Sequence, residues 1–574
     1  MVKNPPAPLR GEVDAALAEL SESTGVRISW LGAEPASSST TLSVGESKIP
    51  LPRLVGEKKE LFGISGFWPT VPRADDRDRL LWRIYQEASA DRTPDKEKPP
   101  LLDSNLEKLL REDLPLPVGE ARDAVADAVI DRFYSRKKAR VLLPLQSVLP
   151  ANYAHSTQTG KAARYRMFSG VLMPFLLWDE EKLDFDVELM DRLLAVIEGD
   201  ADLTRIDELF LEVARAKAPH PEWIPESDRL IRLYRDSITE NMSESGPFCP
   251  PALASFRRDL DTVLSTDLPR PDKISWLTLL VSLHVSLWMY RGALVKWMQL
   301  DAAIAAAANV NRPMILGCEA HEDGDCSPEL LRKCPMAGAI RFRTRTGRYE
   351  AIRLRDKARS TYIEMDQNRL HALPATLITL NLASAAWNGL TDRNAADGSD
   401  FSILVSDLKS DSDFRRKFDA ACAAITIIHH AAHRGPAALR HELSEVARLG
   451  PLKPGIFLLR EDILRLRRTD LRHQSRDIVN QLMLVDNTGP GSMIGRNGSI
   501  GYFELDERLL QLLVRLVCRD DAVPVAEFLR ALTEYGLAPQ SQEEQERFVA
   551  ALERLGLLVR YSDAGEAAYV HFPN

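Results

Sequence analysis

The chain has 574 residues, of which 45% are hydrophobic and 27% are charged, and its formal net charge is −9. This hydrophobic content excludes an intrinsically disordered chain, and the acidic balance excludes a protein that coats nucleic acid over its whole surface. At about 100–200 residues per domain, the length predicts three or four packed domains.

Cysteine usage and apolar runs indicate the cellular compartment. The chain has six Cys, three of them within residues 318–334, a clustering that is unlike a disulfide framework and favours a reducing compartment. The first residues lack the apolar run of a signal peptide. Residues 274–290 are uncharged but include Ser, Thr and His, whereas a membrane span needs about 20 mostly apolar residues. We interpret them as a buried helix and expect a cytoplasmic protein with no membrane partner.

The N-terminal part combines helical and β-prone patterns. Apolar residues recur at helical spacing in residues 9–23. β-prone runs follow at 26–32, 40–44 and 47–52. A charged, Pro-containing stretch at 89–104 has the composition of a linker. These patterns predict a small mixed α/β region over residues 1–100.

Helical periodicity dominates the middle of the chain. Residues 252–268 and 274–310 form a central block of long helices within a predicted helical domain at 101–310. Further helical patterns occur at 352–365, 373–390 and 413–433. They predict a second helical domain at 311–486, which also contains a basic segment.

Cys and His are close enough within residues 318–334 to suggest a metal. Cys318, His321, Cys326 and Cys334 follow the spacing C-x2-H-x4-C-x7-C, and zinc accepts such ligands in a tetrahedral shell. However, no Cys pair has the tight spacing of small zinc sites, and the acidic residues in between also suit a solvated loop. We therefore predict no metal and no cofactor, with a structural zinc as the alternative.

His429 and His433 lie one helical turn apart, a spacing that could also ligate a metal. Their helix is apolar, and no carboxylate lies nearby in the sequence to orient an imidazole. We interpret both as core or helix-end histidines.

Residues 487–502 are rich in Gly and invite comparison with a phosphate-binding loop. They lack G-K-[S/T] and follow a helical pattern rather than a strand, so a mobile connector is the better interpretation. No hydrolase, kinase or nuclease signature occurs elsewhere in the chain. We therefore predict that the protein is not an enzyme and has no catalytic residues.

The strongest local charge is basic. Its cationic residues are Arg341, Arg343, Arg345, Arg348, Arg353, Arg355, Lys357 and Arg359. Every second residue from 341 to 345 is Arg, as on one face of a strand, and Phe342 and Tyr349 are interleaved. Basic residues with aromatic neighbours suit phosphate contact and base stacking, so we expect DNA contact here. The alternative is a solvated face that pairs with acidic protein surface.

Residues 501–574, the C-terminal module, have the most regular pattern. Three helical patterns precede two β-prone runs, at 505–517, 525–536, 541–556, 557–563 and 566–572. Ser541 and Glu544 have the spacing of a capping box. This order is typical of a winged helix-turn-helix. The expected fold is therefore mainly α and multi-domain, and it ends in a connector plus winged helix at 487–574.

The charge of the C-terminal module argues against DNA reading. It holds seven Arg and no Lys against thirteen Asp and Glu, a net charge of −6. DNA affinity comes largely from Lys and Arg that neutralise phosphates, so an acidic helix would be repelled. We expect the module to dock a protein partner, and its deletion to leave the rest of the chain folded. The predicted docking residues are Glu543, Glu546, Tyr561, Asp563 and Glu566.

Parts of the chain resemble a known family. Residues 496–518, 528–537 and 552–570 resemble the C-terminal end of accessory subunits of bacterial anti-phage restriction modules. These are the DptG-type proteins of phosphorothioation-dependent restriction and related subunits of methylation-associated defence systems. Residues 268–295 resemble the helical middle of the same proteins. The resemblance implies a non-catalytic subunit that works beside a HerA/FtsK-type motor ATPase and other defence proteins.

Two functions of different classes follow from these patterns. The first is an accessory and assembly subunit of a defence complex, with DNA contact through the basic segment. The second is a stand-alone transcriptional regulator whose winged helix binds an operator. A regulator usually has a basic recognition helix and a shorter chain, so the acidic C-terminal module favours the first.

Overall fold

A computed structural model describes part of the chain. It covers residues 9–31, 40–52, 54, 117–133, 176–179, 182–198, 227–242, 249–310, 326, 328–344, 360–391, 401–434, 439–467, 494–497, 500–560 and 568–573. Over these residues the fold is mainly helical with a few small sheets. The mainly α class predicted from periodicity is confirmed to that extent.

The described N-terminal elements are one helix and one antiparallel sheet. They are α1 (Leu9–Thr24), β1 (Ile28–Leu31), β2 (Thr41–Val44) and β3 (Ser47–Pro50), in the sheet order β1-β2-β3. Side chains of β1 alternate between buried and exposed, so Ile28 and Trp30 enter the core. Nε1 of Trp30 donates to Oδ1 of Asp14 at 2.7 Å and joins the sheet to α1. The predicted mixture of helix and strand is confirmed for these residues.

The next described elements are helices and a short hairpin. They are α2 (Glu120–Phe133), β4 (Trp178–Asp179), β5 (Asp184–Phe185), α3 (Val187–Glu198), α4 (Ser227–Met242) and α5 (Pro250–Leu264). The ring of Phe185 contacts those of Trp178 and Tyr234, which places the hairpin against α4. Arg192 of α3 pairs with Asp261 of α5 at 2.6 Å. Since that pair is exposed and contributes little, burial of apolar side chains is what holds these helices together.

One continuous helix, α6 (Arg270–Ala307), spans 38 residues. Pro271 lies in its first turn, where the missing N–H removes no intrahelical hydrogen bond. Leu277, Leu280 and Leu287 are buried, as predicted for the apolar run in this part of the sequence. No helix among the described residues is long and apolar enough to cross a membrane.

Further helices follow α6 in the part of the chain that the structure describes. They are α7 (Pro328–Lys333), α8 (Ser360–Thr391), α9 (Phe401–Ser410), α10 (Ser412–His433), α11 (Leu439–Leu449) and α12 (Gly455–Leu466). Helices α8, α9 and α12 contact α6, while α1 contacts α10 and α11 and β3 contacts α8. The N-terminal elements therefore pack on the second half of the helical region.

Helices α10 and α12 cross in close backbone contact. A Cβ on Gly455 would lie 2.1 Å from the carbonyl oxygen of Asp419 and 2.9 Å from the backbone nitrogen of Ala423. No residue with a side chain fits there. The side chain of Asp419 also accepts a hydrogen bond from Gly455 N at 3.1 Å, so α10 caps the start of α12.

Among the residues that the structure describes, the C-terminal elements form two sheets and three helices. In chain order they are β6 (Ile340–Thr344), β7 (Ile494–Asn497), β8 (Ile500–Leu505), α13 (Glu507–Cys518), β9 (Val523–Pro524), α14 (Val525–Glu534), β10 (Leu537–Pro539), α15 (Gln542–Arg554), β11 (Leu558–Arg560) and β12 (Ala568–Val570). The three predicted helices are present, and the last two strands pair antiparallel as expected of a hairpin.

Strand β6 joins distant parts of the sequence. It pairs in parallel with both β8 and β10, in a sheet of order β10-β6-β8-β7. Strands β7 and β8 pair antiparallel, although the sequence predicts a connector there. Phe342 of β6 packs against Phe548 of α15 with ring centroids 5.4 Å apart. The strand thus serves as part of the core beneath the C-terminal module. The second sheet has the order β11-β12-β9.

Candidate functional site

The structure separates the basic residues predicted to contact DNA. Arg341 is exposed, whereas Arg343 is only 6% exposed and its Nε donates to Oε1 of Gln540 at 2.5 Å. The reason is topological, because β6 lies between β8 and β10 and is covered there. The guanidinium of Arg343 is therefore part of the protein interior and not of an exposed basic surface. The other predicted cations lie outside the described residues: Arg345, Arg348, Arg353, Arg355, Lys357 and Arg359.

Two of the four candidate zinc ligands can be placed. Cys326 and Cys334 are partly buried, and Cys334 lies just beyond the end of the six-residue helix α7. Cys318 and His321 lie outside the described residues. In the part of the chain that the structure describes, no group of three or more His, Cys, Asp and Glu could hold a metal ion.

The predicted docking residues on α15 are exposed. Glu543 and Glu546 both face solvent, and Glu543 pairs with Nη2 of Arg547 at 2.5 Å. The other three, Tyr561, Asp563 and Glu566, lie outside the described residues. The apolar side of α15 is used internally, since Phe548 and Leu552 are fully buried.

The predicted capping box at the start of α15 is half present. Ser541 Oγ accepts from the backbone N–H of Glu544 at 3.3 Å, as expected. The Glu544 carboxylate does not close the box. It is buried, and it accepts from the N–H of Thr344 at 3.3 Å and from Arg547 Nη1 at 2.9 Å. Glu544 thus ties α15 to β6 and adds nothing to an exposed acidic surface.

Buried polar contacts fasten the C-terminal module to α5 and α6. Oδ2 of Asp259, in α5, accepts from the Tyr535 hydroxyl at 2.8 Å and lies 2.9 Å from Nε2 of His284 in α6. Burial and the nearby Asp259 raise the pKa of Tyr535 well above its usual value, so the hydroxyl keeps its proton and donates. Arg291 of α6 donates to the carbonyl oxygen of Glu534. These contacts and the pairing of β6 make the module part of the helical body.

A second buried polar cluster lies where α10, α11 and α12 meet. We call it the histidine cluster, and its members are His429, His430, His433, Glu442 and Asp462. Asp462 is only 4% exposed, and its two oxygens lie 2.8 Å from Nδ1 of His429 and 2.7 Å from Nδ1 of His430. Nε2 of His430 lies 2.7 Å from Oε2 of Glu442.

His430 is held as an imidazolium because both of its ring nitrogens face carboxylates. Burial opposes the charge, but hydrogen bonds to Asp462 and Glu442 overcome it and raise the pKa of His430. Burial likewise opposes ionisation of Asp462, and hydrogen bonds from His429 and His430 nevertheless lower its pKa strongly. Arg465 Nη2 lies 3.3 Å from His430 Nδ1 and 3.4 Å from Asp462 Oδ1. Since both nitrogens are donors, the carboxylate is the acceptor.

His429 and His433 are neutral, in contrast to His430. Burial lowers the pKa of both, to about 3 for His433. His429 Nδ1 donates to Asp462, and His433 Nδ1 donates to the carbonyl oxygen of His429 at 3.0 Å. The two rings lie side by side, with centroids 4.3 Å apart. Nε2 of each ring is buried and finds no hydrogen-bond partner among the described residues.

No family model and no curated protein matches this chain. Its function is therefore inferred from its own residues and from the resemblance of its sequence patterns. Two features of the described residues bear on function: the exposed acidic surface of the C-terminal module and the histidine cluster.

The sequence pointed to part of the histidine cluster only. Helical spacing singled out His429 and His433. His429 is buried, and the half-buried His433 is the last residue of α10, in agreement with the prediction of core or helix-end histidines. The expectation that no carboxylate orients them is wrong. Asp462 lies 33 residues beyond His429 on another helix, and packing of α12 on α10 brings it into contact. No local pattern reveals that pairing.

Proposed function

We propose that this chain is a non-catalytic accessory subunit of a bacterial anti-phage restriction complex, and that its C-terminal module docks a HerA/FtsK-type motor ATPase. A role in such a complex is supported by the resemblance to DptG-type subunits, which involves residues 496–518, 528–537 and 552–570. The single observation that supports the docking role is the acidic exposed surface of the module.

We infer that the C-terminal module is a winged helix-turn-helix. Its elements follow the order helix, strand, helix, strand, helix and strand pair, from α13 to β12, and the second strand, β10, pairs with β6. The sheet order β11-β12-β9 sets the strand between the first two helices beside the final hairpin, which would be the wing. In such a fold α15 is the helix that DNA-binding members place in the major groove.

The surface charge favours a protein partner over DNA for this module. Eight exposed residues between 507 and 560 are acidic: Glu507, Asp520, Asp521, Glu527, Glu534, Glu543, Glu546 and Glu553. Five exposed residues in the same range are basic: Arg508, Arg519, Arg530, Arg554 and Arg560. An acidic surface repels phosphates but complements a basic patch on a protein. We therefore expect the partner to present Lys and Arg to α15.

A charge reversal tests docking better than a deletion. Removing residues 501–574 would take away both strands that pair with β6 and the Tyr535 hydroxyl that donates to Asp259. We therefore expect the helical body to lose stability. Glu543→Lys with Glu546→Lys changes only exposed side chains of α15. In pull-downs with the purified ATPase at low salt, we expect affinity to fall about tenfold or more, and the difference to shrink at high salt.

The matched control reverses two acidic residues on other helices, Glu445→Lys with Glu461→Lys, which are also exposed. This variant has the same net charge and should bind the ATPase like the wild type. An equal loss of affinity in both variants would indicate a general charge effect. Unchanged affinity in both would contradict the docking role of α15.

We propose that DNA contact, where it occurs, uses the basic segment rather than α15. Of its described cations only Arg341 is exposed, so Arg343 should be left intact to preserve the core. Arg341→Glu with Arg345→Glu should weaken DNA binding and lower its salt dependence by about one counterion per lost phosphate contact. Arg554→Glu on α15 is the control. Loss of DNA binding in that control alone would favour a transcriptional regulator instead.

A further inference from the structure

The two neutral imidazoles of the histidine cluster belong to His429 and His433. Each has a buried Nε2 that accepts no hydrogen bond from the described residues. A buried acceptor without a partner is unfavourable, and here two such acceptors lie on neighbouring rings one helical turn apart. A group that accepts electron density from both nitrogens would remove both penalties at once.

The tautomers of the two rings are those of metal ligands. His429 donates through Nδ1 to a carboxylate, and His433 donates through Nδ1 to a backbone carbonyl. Metal-bound histidines are usually held in the same way, by a second acceptor that orients the ring and raises the basicity of Nε2. Both rings thus direct a deprotonated Nε2 away from their anchoring hydrogen bonds.

We propose that Nε2 of His429 and Nε2 of His433 bind a divalent transition-metal ion of the zinc, cobalt and nickel class. Imidazole nitrogen suits these ions, and an i, i+4 pair on a helix is a common way to supply two of their ligands. The described residues offer no third His, Cys, Asp or Glu for the same ion. Water completes the shell.

The surrounding charges set how tightly such an ion is held. Asp462 and Glu442 bring negative charge to the cluster, while the imidazolium of His430 and the guanidinium of Arg465 offset it. The guanidinium of Arg467 acts electrostatically on both His429 and His433, and it repels a cation bound at their Nε2 atoms. We expect a modest affinity.

Titration of the metal-free full chain with cobalt(II) tests the site. Wild-type protein should bind about one ion and show the visible absorbance of a nitrogen- and oxygen-ligated cobalt, without thiolate charge-transfer bands. His433→Asn retains a donor near Nδ1 but removes Nε2, and should weaken binding at least about tenfold. Asp462 and the pairing of His429 remain intact in this variant, so it should fold.

Two controls make the result specific. His441→Asn changes an exposed histidine on α11 and should bind cobalt like the wild type. Cys326→Ser with Cys334→Ser should also leave the spectrum unchanged. Thiolate bands that vanish in the Cys variant would place the metal at residues 318–334. That outcome, a failure to bind cobalt, or undiminished binding by His433→Asn would overturn the proposal.

Discussion

Asp462 and Asp259 are both buried carboxylates that join side chains of different helices, but they hold different parts of the fold together. Asp462 contacts two histidines of the helix that packs beside it, 32 and 33 residues away in sequence. Asp259 contacts His284 of the next helix and Tyr535 of the C-terminal module, 276 residues away. The first carboxylate organises a local helix crossing. The second links α5 and α6 to the C-terminal module.

The two networks differ in which buried polar atoms they leave without a hydrogen-bond partner. Around Asp462, two imidazoles retain unpaired lone pairs in the described fold, which is why we infer a ligand there. Around Asp259, the histidine and the tyrosine hydroxyl both converge on Oδ2, which fixes the position of α14, and the Oδ1 atom that accepts no hydrogen bond lies 3.8 Å from Nε of Arg258. A buried polar network of that kind favours a unique arrangement of the elements that it joins. We therefore expect the C-terminal module to unfold together with α5 and α6.

The largest effect should come from the helix crossing that carries Asp462 to its histidines. Gly455→Ala would place a Cβ 2.1 Å from the carbonyl oxygen of Asp419, and two backbones would have to move apart. We expect a loss of about 4 kcal/mol or more in the free energy of unfolding, measured by urea denaturation. Gly11→Ala is the control, since a Cβ there meets nothing within 4 Å. It should raise stability slightly, as Ala favours a helix over Gly. Similar stabilities for the two variants would contradict the close crossing.

Removing the carboxylate of Asp462 should lower the free energy of unfolding somewhat less than Gly455→Ala does. Asp462→Ala leaves the buried His430 cation with Glu442 alone and His429 Nδ1 without an acceptor. We expect the free energy of unfolding to fall by about 3 kcal/mol. Glu461→Ala, the exposed neighbour, should change it by less than about 0.5 kcal/mol. If Asp462→Ala were as mild as its neighbour, the histidine cluster would not be the buried ionic network described.

Sequence patterns alone could predict much of this body but not its two networks. Helical periodicity located α1, α5, α10 and the three helices of the C-terminal module because amphipathic spacing is a local property. The sheet around β6 depends on strands more than 150 positions later, and short strands carry no signal of their partner. For the same reason Arg343 looked like a solvent-facing cation and proved to be covered. Asp462 and Tyr535 join their networks through tertiary packing that no spacing rule describes.

A smaller change probes the link made by Asp259. Tyr535→Phe removes one hydroxyl donor and should cost about 1–2 kcal/mol. In a double-mutant cycle with Asp259→Asn, the combined loss should be less than the sum of the single losses, because both changes break the same contact. Hydrogen exchange should show loss of protection in α5 as well as in α14. Loss confined to α14 would mean that the module unfolds independently.

The smallest effect is the pH dependence contributed by the neutral histidines. The folded pKa of His433 is lowered to about 3 from an ordinary value of 6.5, so below pH 6.5 the unfolded chain binds the extra proton. Stability must therefore fall as pH falls through that range, by about 1 kcal/mol for His433 between pH 6.5 and 5.5. His430 contributes with the opposite sign, because its pKa is raised and its stabilisation becomes complete as the unfolded imidazole is protonated below pH 6.5.

One other buried group titrates in the same window with the opposite sign. Burial raises the pKa of Asp419 to about 7, so the folded state takes up its proton first and gains stability as pH falls. The informative quantity is therefore the difference between wild type and His433→Asn, since Asp419 is present in both. The variant should lose less stability than the wild type between pH 6.5 and 5.5, measured by urea denaturation at each pH. Equal losses would mean that His433 is protonated in the folded protein, and a protonated Nε2 could neither remain unpaired in the interior nor bind a metal ion.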